Sequence, residues 1–260
     1  MYDYGARFYD PSISLWASVD PLTGEMPDQG AYNYTFQNPI MFNDPTGMKG
    51  EGVDGVDDWV ERTDAKGNKS IVWDSKVTSA TDKDLQAGDV YLGKNVLVGT
   101  HNRDATGNEK INSATFDLYL ASNTTGPTAT IKGNTVPANI KKYGTLPEGL
   151  YSASLYKYNG DDAILIGGGG NLPTVSGNPN NPKNYDAAGN LKPTSTHVMD
   201  QILFHKGNYA RPSLSTSSGK AISKGCQTGG CGPGTLPIYR AFMRKAVTAG
   251  SIDSYYLRPK

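Results

Sequence analysis

Residues 115–121 (TFDLYLA) alternate apolar and polar side chains, the period-two pattern of a strand with one buried face. Shorter stretches at 89–92, 96–98, 128–131, 149–157 and 163–166 continue the series and predict further strands. Residues 59–60 and 71–73 flank Asp64-Ala65-Lys66-Gly67-Asn68, a turn-forming run between two apolar segments, which predicts a β-hairpin. A short apolar strand is expected over 201–204, with His205 just past its end. One helix is expected from Ile238 to about Thr248. There Ala241, Phe242 and Val247 recur near helical spacing, and Pro237 is acceptable in the first turn. Residues 167–196 show no period and read as a functional loop or as disorder. The expected fold class is mainly β with one late α-helix.

Residues 2–48 have a different texture. Tyr and Asn recur around Asp10-Pro11, Asp20-Pro21, Asn38-Pro39 and Asp44-Pro45, and these dipeptides initiate turns. Between them, 13–16 and 32–36 are of strand length, so hairpin-like strands with tight turns are expected. Residues 49–58 (KGEGVDGVDD) read as an acidic linker.

Composition narrows the partners. Lys+Arg and Asp+Glu both number 25, which argues against duplex DNA or an anionic membrane held by bulk charge. No apolar run approaches the length of a membrane-spanning helix, and Met1-Tyr2-Asp3-Tyr4 does not open a signal peptide, so neither is expected. Neither nucleic-acid binding nor membrane insertion is expected. Two cysteines are too few for a disulfide scaffold.

The stretches YDYGARFYDPSISLWASVDP and AYNYTFQNPIMFNDPTGM resemble the RHS repeat-associated core that closes a YD-repeat shell. The resemblance divides the chain into a core remnant at 1–48, a linker at 49–58 and an effector domain at 59–260. It implies a polymorphic toxin used in interbacterial competition, exported by a dedicated secretion system and countered by a cognate immunity protein. It also implies self-cleavage after Met48 by Asp20 and Asp44. The plainer reading is that the two aspartates shape turns. Most of the shell is absent from this sequence.

Of the three histidines, His101 lies in a polar stretch and reads as a solvated surface residue. His205, beside Lys206 and Gly207, has the placement of a catalytic group. Further on, Ser223-Lys224-Gly225-Cys226 carries a thiol whose proton a neighbouring imidazole can take. A glycine before the cysteine leaves the main chain free to bend and to offer N–H groups to an oxyanion. On the residues alone, a structural His205 and an inert Cys226 remain equally open.

This arrangement resembles the L,D-transpeptidase (YkuD-type) family, with His205, Gly207, Ser223, Gly225 and Cys226 at the motif positions. The resemblance implies a β-sandwich or barrel-like catalytic domain, with a core at about 144–250. It also implies cysteine acyl transfer at the third residue of peptidoglycan stem peptides in the periplasm or cell wall. Cys226 is then the nucleophile, His205 the base, Ser223 a shaping residue, and the Gly225 and Cys226 amides the oxyanion hole. Gly207, Asn208, Arg211, Lys224 and Gln227 are the expected substrate-binding positions. Three features depart from the pattern: Lys206 separates the histidine from its glycine, Gln227-Thr228 replaces the usual arginine after the cysteine, and Cys231 follows in a glycine-rich run. The GCQTG variant looks closer to endolysin-like and effector-like relatives.

No cofactor or metal is expected. A zinc site from His197, His205, Cys226 and Cys231, or a Cys226–Cys231 disulfide, are the lesser alternatives, with Cys231 otherwise a small buried residue. The competing functional reading is a non-enzymatic β-rich module that binds glycan or protein.

Overall fold

The structure is a computed structural model that describes all residues except 22, 24–29, 36–41, 45–46, 48–50, 53–56, 176 and 216–223, with main chain alone at 42, 43, 51 and 52. It contains two compact units, Met1–Asp57 and Asp58–Lys260. Most of the expected linker lies outside the described residues.

In the first unit, β1 (Tyr2–Asp3), β2 (Phe8–Asp10) and β3 (Leu15–Trp16) form an antiparallel meander, and β4 (Phe42–Asn43) pairs with β5 (Glu51–Gly52). The strand expected at 32–36 is not formed where the chain is described. Asn33 makes one bridge to Leu15, and Thr35 takes a positive φ of 47°, which ends extension there. Trp16 is the centre of this unit. It is 2% exposed, with the rings of Tyr4, Tyr9 and Tyr34 at 5.4, 5.6 and 5.4 Å in edge-on packing.

The second unit opens with the expected hairpin, β6 (Asp58–Thr63) and β7 (Lys69–Asp74), in which Trp59 faces Trp73. Next, β8 (Val90–Gly93) pairs with β6, while β9 (Val96–His101) leaves for a different sheet. Then come β10 (Ala114–Tyr119), β11 (Ala129–Asn134), the short helix α1 (Ile140–Tyr143), β12 (Gly149–Tyr158) and β13 (Asp161–Ile166). The small pair β14 (Leu172–Pro173) and β15 (Val198–Met199) closes a long excursion. The chain ends with β16 (Leu203–Lys206), β17 (Gln227–Gly229), α2 (Thr235–Thr248) and β18 (Ser254–Pro259).

Eight strands close a barrel in the order β10-β11-β17-β16-β13-β12-β18-β9. Two neighbouring pairs are parallel, β16 with β17 and β18 with β9. The mainly β expectation therefore holds. The span expected as the catalytic core, about 144–250, is only part of the barrel. It omits β9, β10 and β11 on one side and β18 on the other, four of the eight staves. The alternation in β10 works as read: Phe116 and Leu118 are fully buried, and Asp117 between them is not.

The late helix starts at Thr235, three residues before the expected start, and Pro237 falls in its first turn. Its buried stripe is Tyr239, Phe242, Met243 and Ala246, spaced i, i+3, i+4, i+7. Ala241 and Val247 face outward instead. The four-residue α1 was not expected, being too short to carry a period. It is capped by Asn139, whose side chain accepts from the Lys142 N–H at 3.0 Å. Phe204 joins this helix to the barrel, its ring 5.8 Å from Phe242 and 4.7 Å from Phe116.

Candidate active site

His205 is a member of β16 rather than the residue past its end. On the parallel partner strand it faces Thr228, and Cys226 lies two positions earlier on the same side. A spacing of roughly 4.8 Å between strands and 3.3 Å per residue puts the two Cα atoms about 8 Å apart, within reach of an imidazole and a thiol. Both residues line one cleft of about 710 Å³.

The imidazole has a defined tautomer. His205 Nδ1 lies 2.7 Å from the Lys206 carbonyl, which can only accept, so Nδ1 carries the proton and Nε2 keeps the lone pair. The ring is 4% exposed, packs 5.3 Å from the Tyr158 ring, and burial pulls its pKa down to about 4. Burial likewise pushes the Cys226 thiol up to about 11, partly offset by main-chain hydrogen bonds at Leu203 and at Cys226 itself. The pair therefore rests as neutral thiol and neutral imidazole. The thiol donates to the Gln201 carbonyl at 3.7 Å.

Gly225 explains why a glycine precedes the thiol. Its φ is +110°, and a Cβ there would sit 2.4 Å from the Met199 methyl. Gln227 turns away from the cleft because strand alternation points it inward beside its partner Phe204. Fully buried, it accepts from the Tyr255 hydroxyl at 3.0 Å and donates to the Gly225 carbonyl at 3.4 Å. It supports the cysteine turn from inside the barrel and is not placed to bind substrate.

Of the other expected substrate-binding positions, only Lys224 lines the cleft, and it has no ion-pair partner among the described residues. Gly207 runs against Gly230 and Cys231, with its N–H on the Gly229 carbonyl at 3.2 Å. The Asn208 side chain donates to the Ser215 carbonyl at 2.9 Å. Arg211 is half-buried away from the lining residues. Ser223 lies outside the described residues, as does Met48.

Cys226 and Cys231 are both outside any disulfide. They sit at opposite ends of β17, and at roughly 3.3 Å per residue that separation exceeds the ~7 Å a disulfide spans. Cys231 is 2% exposed beside Val136, Ile140 and Leu214, a packed residue as expected. His197 has both ring nitrogens engaged: Nδ1 accepts from the Asn178 N–H and Nε2 meets the Lys192 carbonyl, each at 2.8 Å. It fastens the excursion between β13 and β15 and is not poised over the thiol. His101, expected at the solvated surface, instead ends β9 at 8% exposure, with Nε2 2.8 Å from Glu148.

The excursion at 167–196, described except at residue 176, supplies a cleft wall. Asn184, fully buried, donates to the Asn178 and Val198 carbonyls at 2.8 and 2.9 Å and accepts from the Val198 N–H at 2.8 Å. That staple presents Asn180, Asn181 and Lys183 to the cleft, where Lys183 pairs with Asp200 at 2.8 Å. The opposite side is built by Tyr156 and Tyr158 of β12. None of these was anticipated. The tyrosines carry the i, i+2 signal of one strand face, but the loop residues have no periodic signal to follow.

In the first unit, Asp20 and Asp44 converge on one cation. Arg7 Nη1 reaches Asp20 at 2.8 Å and Nη2 reaches Asp44 at 3.0 Å, while Nε donates to the Gly47 carbonyl. The guanidinium also lies 4.4 Å over the Trp16 ring.

No protein-family model, curated protein or solved structure matches this chain.

Proposed function

We propose that the second unit is a cysteine acyl-transfer enzyme of L,D-transpeptidase type acting on peptidoglycan stem peptides. The observation that carries the reading is the shared cleft of His205 and Cys226, with an unprotonated Nε2 on a fixed imidazole. The thiol proton passes to Nε2 as sulfur bonds to the amide carbon. The oxyanion takes N–H groups of the Gly225–Cys226 turn, and collapse expels the amine, which recovers its proton from His205. Water or a second amine then attacks the thioester, giving hydrolysis or exchange. Because the pair rests neutral, the proton moves with the attack and no thiolate is held in store. Lys224 is the cation available for a substrate carboxylate.

The first unit, on the strength of its RHS-like motifs, is proposed as the end of a delivery shell, and the second as its antibacterial cargo acting in the periplasm, with a cognate immunity protein as partner. Self-cleavage after Met48 is part of the same proposal and rests on Asp20 and Asp44 meeting at Arg7.

The raised Cys226 thiol favours one second reading, a binding module whose cleft holds a ligand without turnover. Mass spectrometry of stem peptides incubated with the protein decides between them. Shortened or exchanged peptides with wild type, and none with Cys226→Ala of unchanged circular dichroism, support the enzyme. Unchanged peptides with both proteins overturn it in favour of binding.

A further inference from the structure

Tyr156 and Tyr158 stand two residues apart on β12 and so share a face. They remain 42% and 38% exposed although they line the cleft. Across the ladder Tyr156 faces Ala163, too small to cover its ring. Neither hydroxyl has a partner among the described residues. The cleft thus holds two flat apolar surfaces with polar ends, next to the exposed amide of Asn180 and the carboxylate of Asp200.

We propose that this platform is a saccharide subsite, which takes an N-acetylated amino sugar joined to the peptide whose bond Cys226 attacks. A pyranose ring has an apolar C–H face for an aromatic ring and a rim of hydroxyl and amide groups for polar neighbours. An amphipathic side chain offers an apolar body with a single polar tip, not a polar rim around an apolar face. The volume is compatible with the assignment, since about 710 Å³ falls within the ~300–1,000 Å³ of ligand pockets. So is the spacing. From β17 the platform is reached across β16, β13 and β12, three steps of about 4.8 Å, or roughly 14 Å. A stem cut at its third residue puts three extended residues, roughly 10 Å, plus the sugar linkage between the scissile bond and the ring. Tyr158, against the His205 ring, lies at the inner edge, and Tyr156 is the outer contact.

This inference rests on the acyl-transfer reading for its substrate, and the test separates the two. The first measurement is the ratio of kcat/KM for a disaccharide-linked stem tetrapeptide to that for the same free tetrapeptide. Wild type is expected to prefer the sugar-linked form, Tyr156→Ala to cut that ratio about tenfold, and Tyr156→Trp to restore it. A ratio unchanged within twofold in Tyr156→Ala overturns the subsite, as does equal preference in wild type, which leaves a peptide side chain as the platform's occupant. The second measurement needs no turnover: binding of a β-1,4-linked N-acetylated disaccharide, followed by chemical-shift changes in the Cys226→Ala protein. Shifts confined to the cleft and lost with Tyr156→Ala support the subsite even if neither peptide is cleaved. Absence of shifts at millimolar sugar overturns it.

Discussion

The Cys226 thiol donates to the carbonyl oxygen of Gln201 at 3.7 Å, and Gln201 holds that carbonyl in place with a main-chain φ of +51°. A residue with a Cβ at positive φ costs roughly 1–2 kcal/mol, and such positions gather at functional sites. The Gln201 side chain contributes one exposed hydrogen bond, to the Gly169 carbonyl at 3.3 Å. Gln201→Gly is therefore expected to gain about 0.5–1 kcal/mol in chemical denaturation, because the thiol contact is main-chain and survives. A loss of stability in that variant contradicts the strain assignment.

Alkylation of Cys226 follows its thiolate fraction. With the thiol pushed up to about 11, iodoacetamide labelling mapped to this residue should be slow at neutral pH. It should rise about tenfold per pH unit until the pH nears that value. Fast labelling at pH 7 shows a stored thiolate and rules out the neutral resting pair.

His205 imposes a pH dependence on folding. Its folded pKa of about 4 lies below the ordinary 6.5, so the unfolded chain binds the extra proton first. The stability from this group is fully present above pH 6.5 and is lost as pH falls toward 4. Over that window the loss is about 3 kcal/mol by linkage. Wild type minus His205→Gln, measured by urea denaturation between pH 4 and 7.5, should show this slope. Parallel curves exclude a neutral buried imidazole.

Gly133 lets two staves meet. It pairs with Gly229 at the β11–β17 seam, and a Cβ at 133 would lie 1.9 Å from the Thr228 carbonyl and 2.8 Å from the Phe116 ring. Gly133→Ala must part the seam that carries Cys226, at about 3 kcal/mol or more. A melting temperature within 2 °C of wild type, on the order of 1 kcal/mol or less, means that the seam closes in some other way.

Arg7 is 3% exposed and Asp44 1%, so Arg7→Ala breaks a buried ion pair, a change that costs about 3–5 kcal/mol. Near-UV dichroism from the Trp16 cluster should collapse. Retention of the tryptophan signal shows that the tyrosine cage holds this unit without the ion pairs.

Where the sequence has a strong period, it predicted the structure: β10, β12 and the β6–β7 hairpin lie where alternation and turn residues put them. Short elements defeat that signal. The three-residue β17 gave no means of knowing that Cys226 faces the cleft while Gln227 faces the core, because direction is set by its parallel neighbour β16. β18 went unread, and with it the way the barrel closes. His101 reads as polar surface by its neighbours, yet its buried ring is engaged by Glu148, 47 positions away, and by the Arg103 N–H. The cleft wall from Asn180 to Lys183 depends on Asn184 and His197 bonding to main-chain groups, which no hydropathy pattern reports.

β18 enters between β12 and β9, and both of these are made long before it. Without residues 254–259 those two staves have open edges, although β16 and β17, which carry the His205–Cys226 pair, join each other directly. Closure of the barrel is thus a long-range event, which joins Val96 to Ser254 across most of the second unit.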